Sequence, residues 1–349
     1  MFKTIVEGLA KVKVPVEEKI SADLPVFYNP LMKLNRDMSV LLLKSLGEKD
    51  LQICDPLAGT GVRSVRFLLE TPEVIKNITI NDKDEQSIGL IKENLELNRF
   101  EADGERVRVA NKDANVLLYS ASGYDYVDID PFGTPNPFLD IACRRMSRRG
   151  ILAVTATDVS ALAGTYVNAC RRKYWAEPRR DYIMHEVGLR ILIRKCQLVG
   201  AQYDKALVPV FSYSKDHYMR VFFRTWKGKA KVDVVIKQHG EFNKAGPMWL
   251  GRLWDPELVE KMVEESSELS YEIDKEFLGV LKEESKIDVV GFFDVHALCK
   301  KLKRECPSFE KIESGLNEKG HRYCRTHFSD YGIRTDASKE EILDIIKKC

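Results

Sequence analysis

The chain has 349 residues, 44% of them hydrophobic and 31% charged, with a formal net charge of +2. That is enough chain for two domains with cores of their own, and no run of eighteen apolar residues offers a membrane span. The eight cysteines stand singly with no C-x-x-C pair, which argues against a disulfide framework or a cysteine zinc site and for a reducing, cytoplasmic setting. Glu7 falls where a signal peptide would be apolar.

Residues 1–20 alternate Val and Lys up to Pro15 and predict an edge hairpin. Phe27-Tyr28-Asn29-Pro30 is a turn, and a helix carrying Asn35-Arg36-Asp37 follows. The planar fork of Arg36 suits a carboxylate. Leu51–Asp55 is a short strand that runs through Pro56-Leu57-Ala58-Gly59-Thr60-Gly61 into a helix over 62–70. Strand, small-residue loop and helix form a nucleotide-type crossover. The loop reads D-x-x-x-G-x-G, and an acid before Gly-x-Gly suits a ligand with a positive amino end better than a pyrophosphate. S-adenosylmethionine is such a ligand. Thr60 and Gly61 would line it, and Arg63 and Arg66 would meet its carboxylate.

Ile78–Asp82 is the second strand. Asp82 follows Gly61 by 21 residues, the interval of a carboxylate that grips ribose hydroxyls. After a helix over 85–98, a third strand ends at Asp113-Ala114, where Asp113 would accept from the adenine amine. The fourth strand, in Tyr124–Gly133, ends at Asp130, followed by Pro131, Phe132 and Gly133. Successive strands thus end in acids, where open α/β sheets bind ligands. An acid beside a ring suits a nucleobase with an exocyclic amine: Asp130 accepts from the NH2 and Phe132 stacks on the base.

A helix over 137–146, a fifth strand ending at Asp158, a helix with His185 and Glu186, and an antiparallel pair over 206–210 and 218–226 complete a doubly wound sheet. Residues 141–230 hold 18 Lys or Arg against six Asp or Glu, with Tyr166, Tyr174, Trp175 and Tyr182 among them. Basic runs interleaved with aromatics predict an RNA surface. From residue 227 the composition shifts, and 227–349 reads as a smaller α+β domain, with a helix pair over 288–306 and some likeness to a winged helix. His321, Cys324 and His327 are spaced like a metal cluster, but no fourth ligand is in evidence and no metal is expected.

Taken together, the motifs Val26–Pro30, Asn35-Arg36-Asp37, Gly59–Arg63, Asn81-Asp82, Lys112–Ala114, Asp130–Gly133, Thr157–Leu162, His217-Tyr218, Gly246–Trp249 and Arg325–Phe328 make the chain resemble the tRNA guanine-26 N2-dimethyltransferase family in its archaeal form. The resemblance implies a Rossmann-like S-adenosylmethionine-dependent methyltransferase domain over 1–226 and a smaller α+β C-terminal, tRNA-binding domain over 227–349. It implies S-adenosylmethionine as methyl donor and N2 of a tRNA guanine as acceptor. Arg36, Arg66, Asp82, Asp113 and Ala114 take the cofactor positions and Asp130 that of the catalytic acid. Many members carry paired cysteines between the domains; this chain has only Gly240 to Gly246 there, so a shorter hairpin without that zinc site is expected. A cytoplasmic monomer is expected. The rival expectations are N2-guanine methylation elsewhere in tRNA or in ribosomal RNA, and an RNA-binding protein or chaperone without catalysis.

Overall fold

In a computed structural model of the chain, residues 2–16 and 26–348 are described. Alternation of Val and Lys gives the hairpin β1 (Phe2–Glu7) and β2 (Ala10–Pro15), with Ala10, Val12 and Val14 buried. α1 (Lys33–Ser45) follows, and then four strand–helix units: β3 (Leu51–Asp55) with α2 (Val62–Glu70), β4 (Ile75–Asp82) with α3 (Glu85–Leu97), β5 (Val107–Asn111) with α4 (Ala114–Tyr119), and β6 (Tyr124–Ile129) with α5 (Asn136–Arg145). β7 (Met146–Ala156), α6 (Val159–Leu162), α7 (Val167–Tyr174) and α8 (Met184–Ala201) lead to β8 (Lys205–Lys215) and β9 (Tyr218–Lys227).

Seven strands form one sheet in the order β5-β4-β3-β6-β7-β9-β8. The pairs from β5 to β7 are parallel, and β9 and β8 close the sheet antiparallel. Strand order reverses between β3 and β6, so the ends of these two strands flank the crevice where such sheets bind ligands.

The N-terminal hairpin is not an edge of this sheet but a two-stranded sheet of its own. Two asparagines one turn apart, Asn94 on α3 and Asn98 at its C-cap, hold it. Asn94 accepts from Lys13 N at 2.6 Å and donates to Lys13 O at 3.0 Å; Asn98 does the same with Lys11 at 3.0 and 2.7 Å. Each side-chain amide thus stands in for a strand residue.

Beyond the sheet come α9 (Lys229–Ile236), the hairpin β10 (His239–Phe242) and β11 (Ala245–Trp249), α10 (Pro256–Ser267) and α11 (Lys275–Ser285). The hairpin turns on Asn243 and Lys244, both with positive φ (52° and 68°), the backbone of a two-residue type I′ turn. The expected boundary at 226/227 does not coincide with a break in packing. Val232, Met248, Trp249, Trp254, Val259, Leu278 and Phe292 belong to the same apolar core as the sheet. A second core starts only at Val295 and runs to Ile346. The composition shift marks a change in surface charge, while α10 packs on α1 and extends the first core.

The smaller core is built from β12 (Phe293–Asp294), α12 (Val295–Leu302), α13 (Phe309–Glu318), β13 (Tyr323–Thr326), β14 (Ser329–Thr335) and α14 (Lys339–Lys348). Residues 288–306 thus hold one helix and a short strand rather than a helix pair. The strands lie in the order β12-β14-β13, which with α11 to α13 is the element order of a winged helix. Its hairpin tip does not project. Phe328 stacks on Phe292 with rings 2° from parallel, and His327 is enclosed beside Glu284. Among the described residues, no helix is long and apolar enough to cross a membrane.

Candidate active site

The loop after β3 is shaped by its glycines. Gly59 and Gly61 have φ of 55° and 74°, and a Cβ on Gly59 would lie 2.8 Å from Phe27 O. Asn81 ties the neighbouring strand ends together: its Nδ2 donates to Pro56 O at 3.0 Å and to Lys112 O at 2.9 Å, and its Oδ1 accepts from Lys112 N at 3.0 Å. This residue was visible in the sequence only as the neighbour of Asp82. Asp82 accepts from Gly59 N at 2.8 Å and Asp84 N at 3.0 Å, which fixes its carboxylate beside the loop. Burial moves its pKa upward against those two backbone donors. Thr60 is buried, and its carbonyl accepts from Asn94 at 2.9 Å. Asp113 caps α4 through Oδ1, from Asn115 N and Val116 N, and Ala114 is buried behind it.

Asp55, at the end of β3, is buried and accepts from Ser64 Oγ at 2.8 Å. Burial pushes its carboxyl up to about 7; Arg63 opposes the shift, and the negative charges of Asp128 and Asp130 add to it.

Arg36 and Arg66 were expected to meet a cofactor carboxylate. Both are buried, and the carboxylate they hold is Glu7, at the end of β1. Arg36 grips it with both prongs at 2.6 and 2.7 Å, and Arg66 Nη1 reaches it at 3.1 Å. Burial alone would raise the Glu7 pKa, but the two guanidiniums hold it down at about 2. Arg66 also pairs with Glu70, and its Nη1 lies 2.7 Å from Asp37 Oδ1 at an angle that leaves that oxygen without a formed hydrogen bond. Asn35 Oδ1, on the same helix, is buried with no partner. Both guanidiniums are thus occupied, and what this cluster leaves unfilled is two acceptors, Asn35 Oδ1 and Asp37 Oδ1, which fit the ammonium end of S-adenosylmethionine.

Arg63 differs from the expectation. Its guanidinium is turned from α2 toward β6, where Nη2 pairs with Asp130 Oδ2, Nη1 donates to Ser39 Oγ at 2.9 Å, and Asp128 lies 3.5 Å away. In this structure it is paired with the acids at the end of β6. Behind it, Asp128 is fully buried. Arg220 grips both its oxygens at 2.8 and 2.7 Å, and the Tyr126 hydroxyl donates to it at 2.7 Å. Burial would raise the Asp128 pKa, but Arg220 and Arg63 hold it below the usual carboxylate range. The relay from Arg220 through Asp128 and Arg63 to Asp130 was not legible in the sequence, because Asp128 and Arg220 are 92 positions apart.

Asp130 Oδ1 has no protein partner among the described residues. Next to it, Phe132 is 48% exposed and lies edge-on to Phe27, with ring centroids 4.0 Å apart. Gly133 N donates to Thr157 Oγ1 at 2.6 Å, and Thr157 N to Gly133 O at 2.9 Å, which binds the turn to the end of β7. A Cβ on Gly133 would meet nothing within 4 Å. The site therefore offers one free carboxylate oxygen, two rings and open space, beside a loop suited to S-adenosylmethionine.

The basic segment divides. Arg190 and Arg220 are buried in ion pairs with Glu186 and Asp128, and Lys195 lies under the Trp175 ring at 3.1 Å. Arg171, Arg172, Lys173 and Arg180 are exposed beyond the end of β7, with Tyr166 (64% exposed) and Trp175 (52%) among them. In the smaller domain, His321 lies between Asp336 and Glu341, whereas His327 contacts Glu284 and accepts from Ser214 N. Among the described residues, no group of His, Cys, Asp and Glu is arranged to hold a metal.

The chain matches the profile of the family described as N2,N2-dimethylguanosine tRNA methyltransferase over residues 8–242 and 237–347. A tRNA (guanine(26)-N(2)/guanine(27)-N(2))-dimethyltransferase of Aquifex aeolicus is 39% identical, covering 98% of this chain and 95% of that protein. A tRNA (guanine(26)-N(2))-dimethyltransferase of Thermococcus kodakarensis is 40% identical, covering 98% of each. The structure of Trm1 from Pyrococcus horikoshii in complex with S-adenosyl-L-methionine superposes with a TM-score of 0.89 at 38% identity, over 99% of both chains. Similarity of this degree over nearly the whole length places the domain order, the sheet and the motifs in one lineage, and the chain belongs to the N2,N2-dimethylguanosine tRNA methyltransferase family.

Proposed function

We propose that the chain transfers methyl groups, one and then a second, from S-adenosylmethionine to the exocyclic N2 of guanine 26 in tRNA. The observation that carries the reading is Asp130: one oxygen pairs with Arg63, and the other is free beside two aromatic rings and the cofactor loop. Guanine N2 is a poor nucleophile because its lone pair is delocalised into the ring. When Asp130 accepts from N2–H, it favours the pyramidal amine with a localised lone pair. Arg63 holds the carboxylate in place, and Phe132 with Phe27 fixes the plane of the base. S-adenosylmethionine, when bound at the loop, supplies the electrophilic methyl group. The chain's own contribution is then position and charge. The space over Gly133 leaves room for an amine that already carries a methyl group.

The base must leave its stack to reach this pocket. Arg171, Arg172, Lys173 and Arg180 would take the neighbouring phosphates, and Tyr166 and Trp175 would take exposed bases or sugars. A cytoplasmic setting accords with the cysteines, all free thiols among those described.

The test is mass spectrometry of nucleosides from unmodified tRNA incubated with the protein and S-adenosylmethionine, with the modified position mapped by digestion. N2,N2-dimethylguanosine at position 26 is expected. Methylation only of another guanine would keep the chemistry and move the substrate. No methylation by protein that binds S-adenosylhomocysteine would defeat the reading. The map also reports on guanine 27, which the name of the Aquifex relative includes.

A further inference from the structure

Two buried phenols beside the acid have no role so far. Tyr218 is the first residue of β9, and its neighbour Met219 pairs with Ala156, the last residue of β7, so Tyr218 stands at the catalytic rim. Side chains two apart on a strand share a face, so Tyr218 lies on the face of Arg220, which grips Asp128. Tyr213 is the cross-strand partner of Arg220 and shares this face as well. The two rings are 5.9 Å apart, edge to face. Tyr213 and Tyr218 are 0% and 3% exposed; their hydroxyls lie close to one another, but neither makes a hydrogen bond of adequate geometry. Buried tyrosine hydroxyls are ordinarily satisfied, so an open pair next to a reactive acid calls for a ligand atom.

The chemistry of that atom follows from the base. The edge of guanine that carries N2 presents N–H donors and one acceptor, O6. With N2–H on Asp130, O6 needs a donor, and a second carboxylate would repel it. The Nη groups of Arg63 and Arg220 are already directed at Asp130, Asp128, Ser39 and Thr155. Arg220 Nε is unfilled as well, but it belongs to the guanidinium clamped on Asp128; among the described residues the two phenols are hydroxyls on this face with no formed bond. Burial raises both hydroxyls well above the ordinary phenol range, with the neighbouring Tyr213 adding to the shift at Tyr218 and Arg220 opposing it at both, so both stay protonated at neutral pH.

Resting on the reading that guanine N2 meets Asp130, we propose that Tyr218 Oη, backed by Tyr213, donates a hydrogen bond to guanine O6 and makes the 6-oxo group a condition of methylation. Tyr218 is then the residue that recognises the base, distinct from the acid that activates it. A 2-aminopurine keeps the amine, lacks O6 and carries N1 without its hydrogen; it would leave the buried hydroxyl unpaired, and the part of the discrimination that Tyr218→Phe removes is the part due to O6.

The experiment compares kcat/KM for tRNA carrying guanine or 2-aminopurine at position 26. Wild-type enzyme should prefer guanine by about ten- to a hundredfold. Tyr218→Phe should lose about tenfold or more on guanine, and its preference should fall to within about threefold of unity. Tyr213→Phe should lower the preference by a smaller factor. A folded Tyr218→Phe that binds S-adenosylhomocysteine normally and keeps the wild-type preference overturns the proposal. So does a wild-type preference near unity, which needs no variant to fold. In both cases methylation of guanine itself would survive; failure to methylate either base would bring down the function proposed above as well.

Discussion

Two of the buried arginine–carboxylate clusters in this protein differ in one respect. Around Arg334, every carboxylate is closed. Arg334 bonds Glu186 at 2.9 Å, Glu284 at 3.0 Å and the carbonyls of Val289 and Gly291. Glu284 also takes Thr326, His327 N and His327 Nδ1, and Glu186 takes Arg190 and Gly291 N. This cluster fastens the winged-helix unit to α8 and α11 and explains the Arg325–Phe328 motif as a seam between domains. Around Arg63 the ingredients are the same, but Asp130 keeps one oxygen free at the rim. A closed cluster is a fastening, and the same cluster with one open acceptor is a site.

The largest test of that contrast is Asp130→Ala. We expect the methyl-transfer rate to fall by about a hundred- to a thousandfold while S-adenosylhomocysteine affinity stays within about threefold. A full rate would mean that the open oxygen does nothing. Arg334→Met strikes the closed cluster, leaving Glu186 to Arg190 and Glu284 to Thr326 and His327, so two buried carboxylates lose their shared cation. Urea unfolding should show a loss of about 3–5 kcal/mol. An unchanged midpoint would mean that the seam carries no stability.

Arg63→Gln sharpens the boundary between the acid's site and the cofactor's. The rate should fall by roughly tenfold, with cofactor affinity within about threefold, because its prongs hold Asp130 and Asp128. A tenfold loss of affinity at full rate would return Arg63 to the cofactor carboxylate, where the sequence pattern had placed it.

Asp55 gives the smallest effect. Its carboxyl is raised from 3.8 to about 7 in the fold, chiefly by burial. The stability tied to its protonated form is therefore complete below its ordinary value and is lost as pH rises through about 7. Asp55→Asn, which cannot ionise, should approach wild type near pH 4, draw ahead as pH rises, and melt roughly 3–6 °C higher near pH 8. Parallel melting curves across that range would refute the buried-acid account.

Much of the sheet could be read directly. Asp55, Asp82, Asp113 and Asp130 recur at strand–helix spacing, and apolar runs such as Ile151–Val154 leave one state for each segment. The loop glycines and the acid with its ring were legible for the same reason: their chemistry is local. What escaped was pairing at a distance. Nothing in the helix around Asn35-Arg36-Asp37 says that Glu7 will meet Arg36, and nothing in the basic segment says that Arg220 and Arg190 turn inward while Arg171 and Arg172 turn out. Charge counts average over faces, and only the packed sheet sorts them. Likewise the composition shift at 226/227 does not mark a break in the apolar core, because composition follows the surface whereas cores follow contacts.

The asparagine clasp on the N-terminal hairpin bears on how the chain is made. Residues Lys11 and Lys13 precede the side chains that hold them, Asn98 and Asn94, by 87 and 81 positions. During translation the hairpin emerges well before its holder. Until α3 follows, Glu7 has no fixed route to Arg36 and Arg66, and the cofactor pocket has no wall on that side. Ribosome-bound chains ending before residue 94 should thus leave this segment open to protease, and chains extending well past residue 98 should close it.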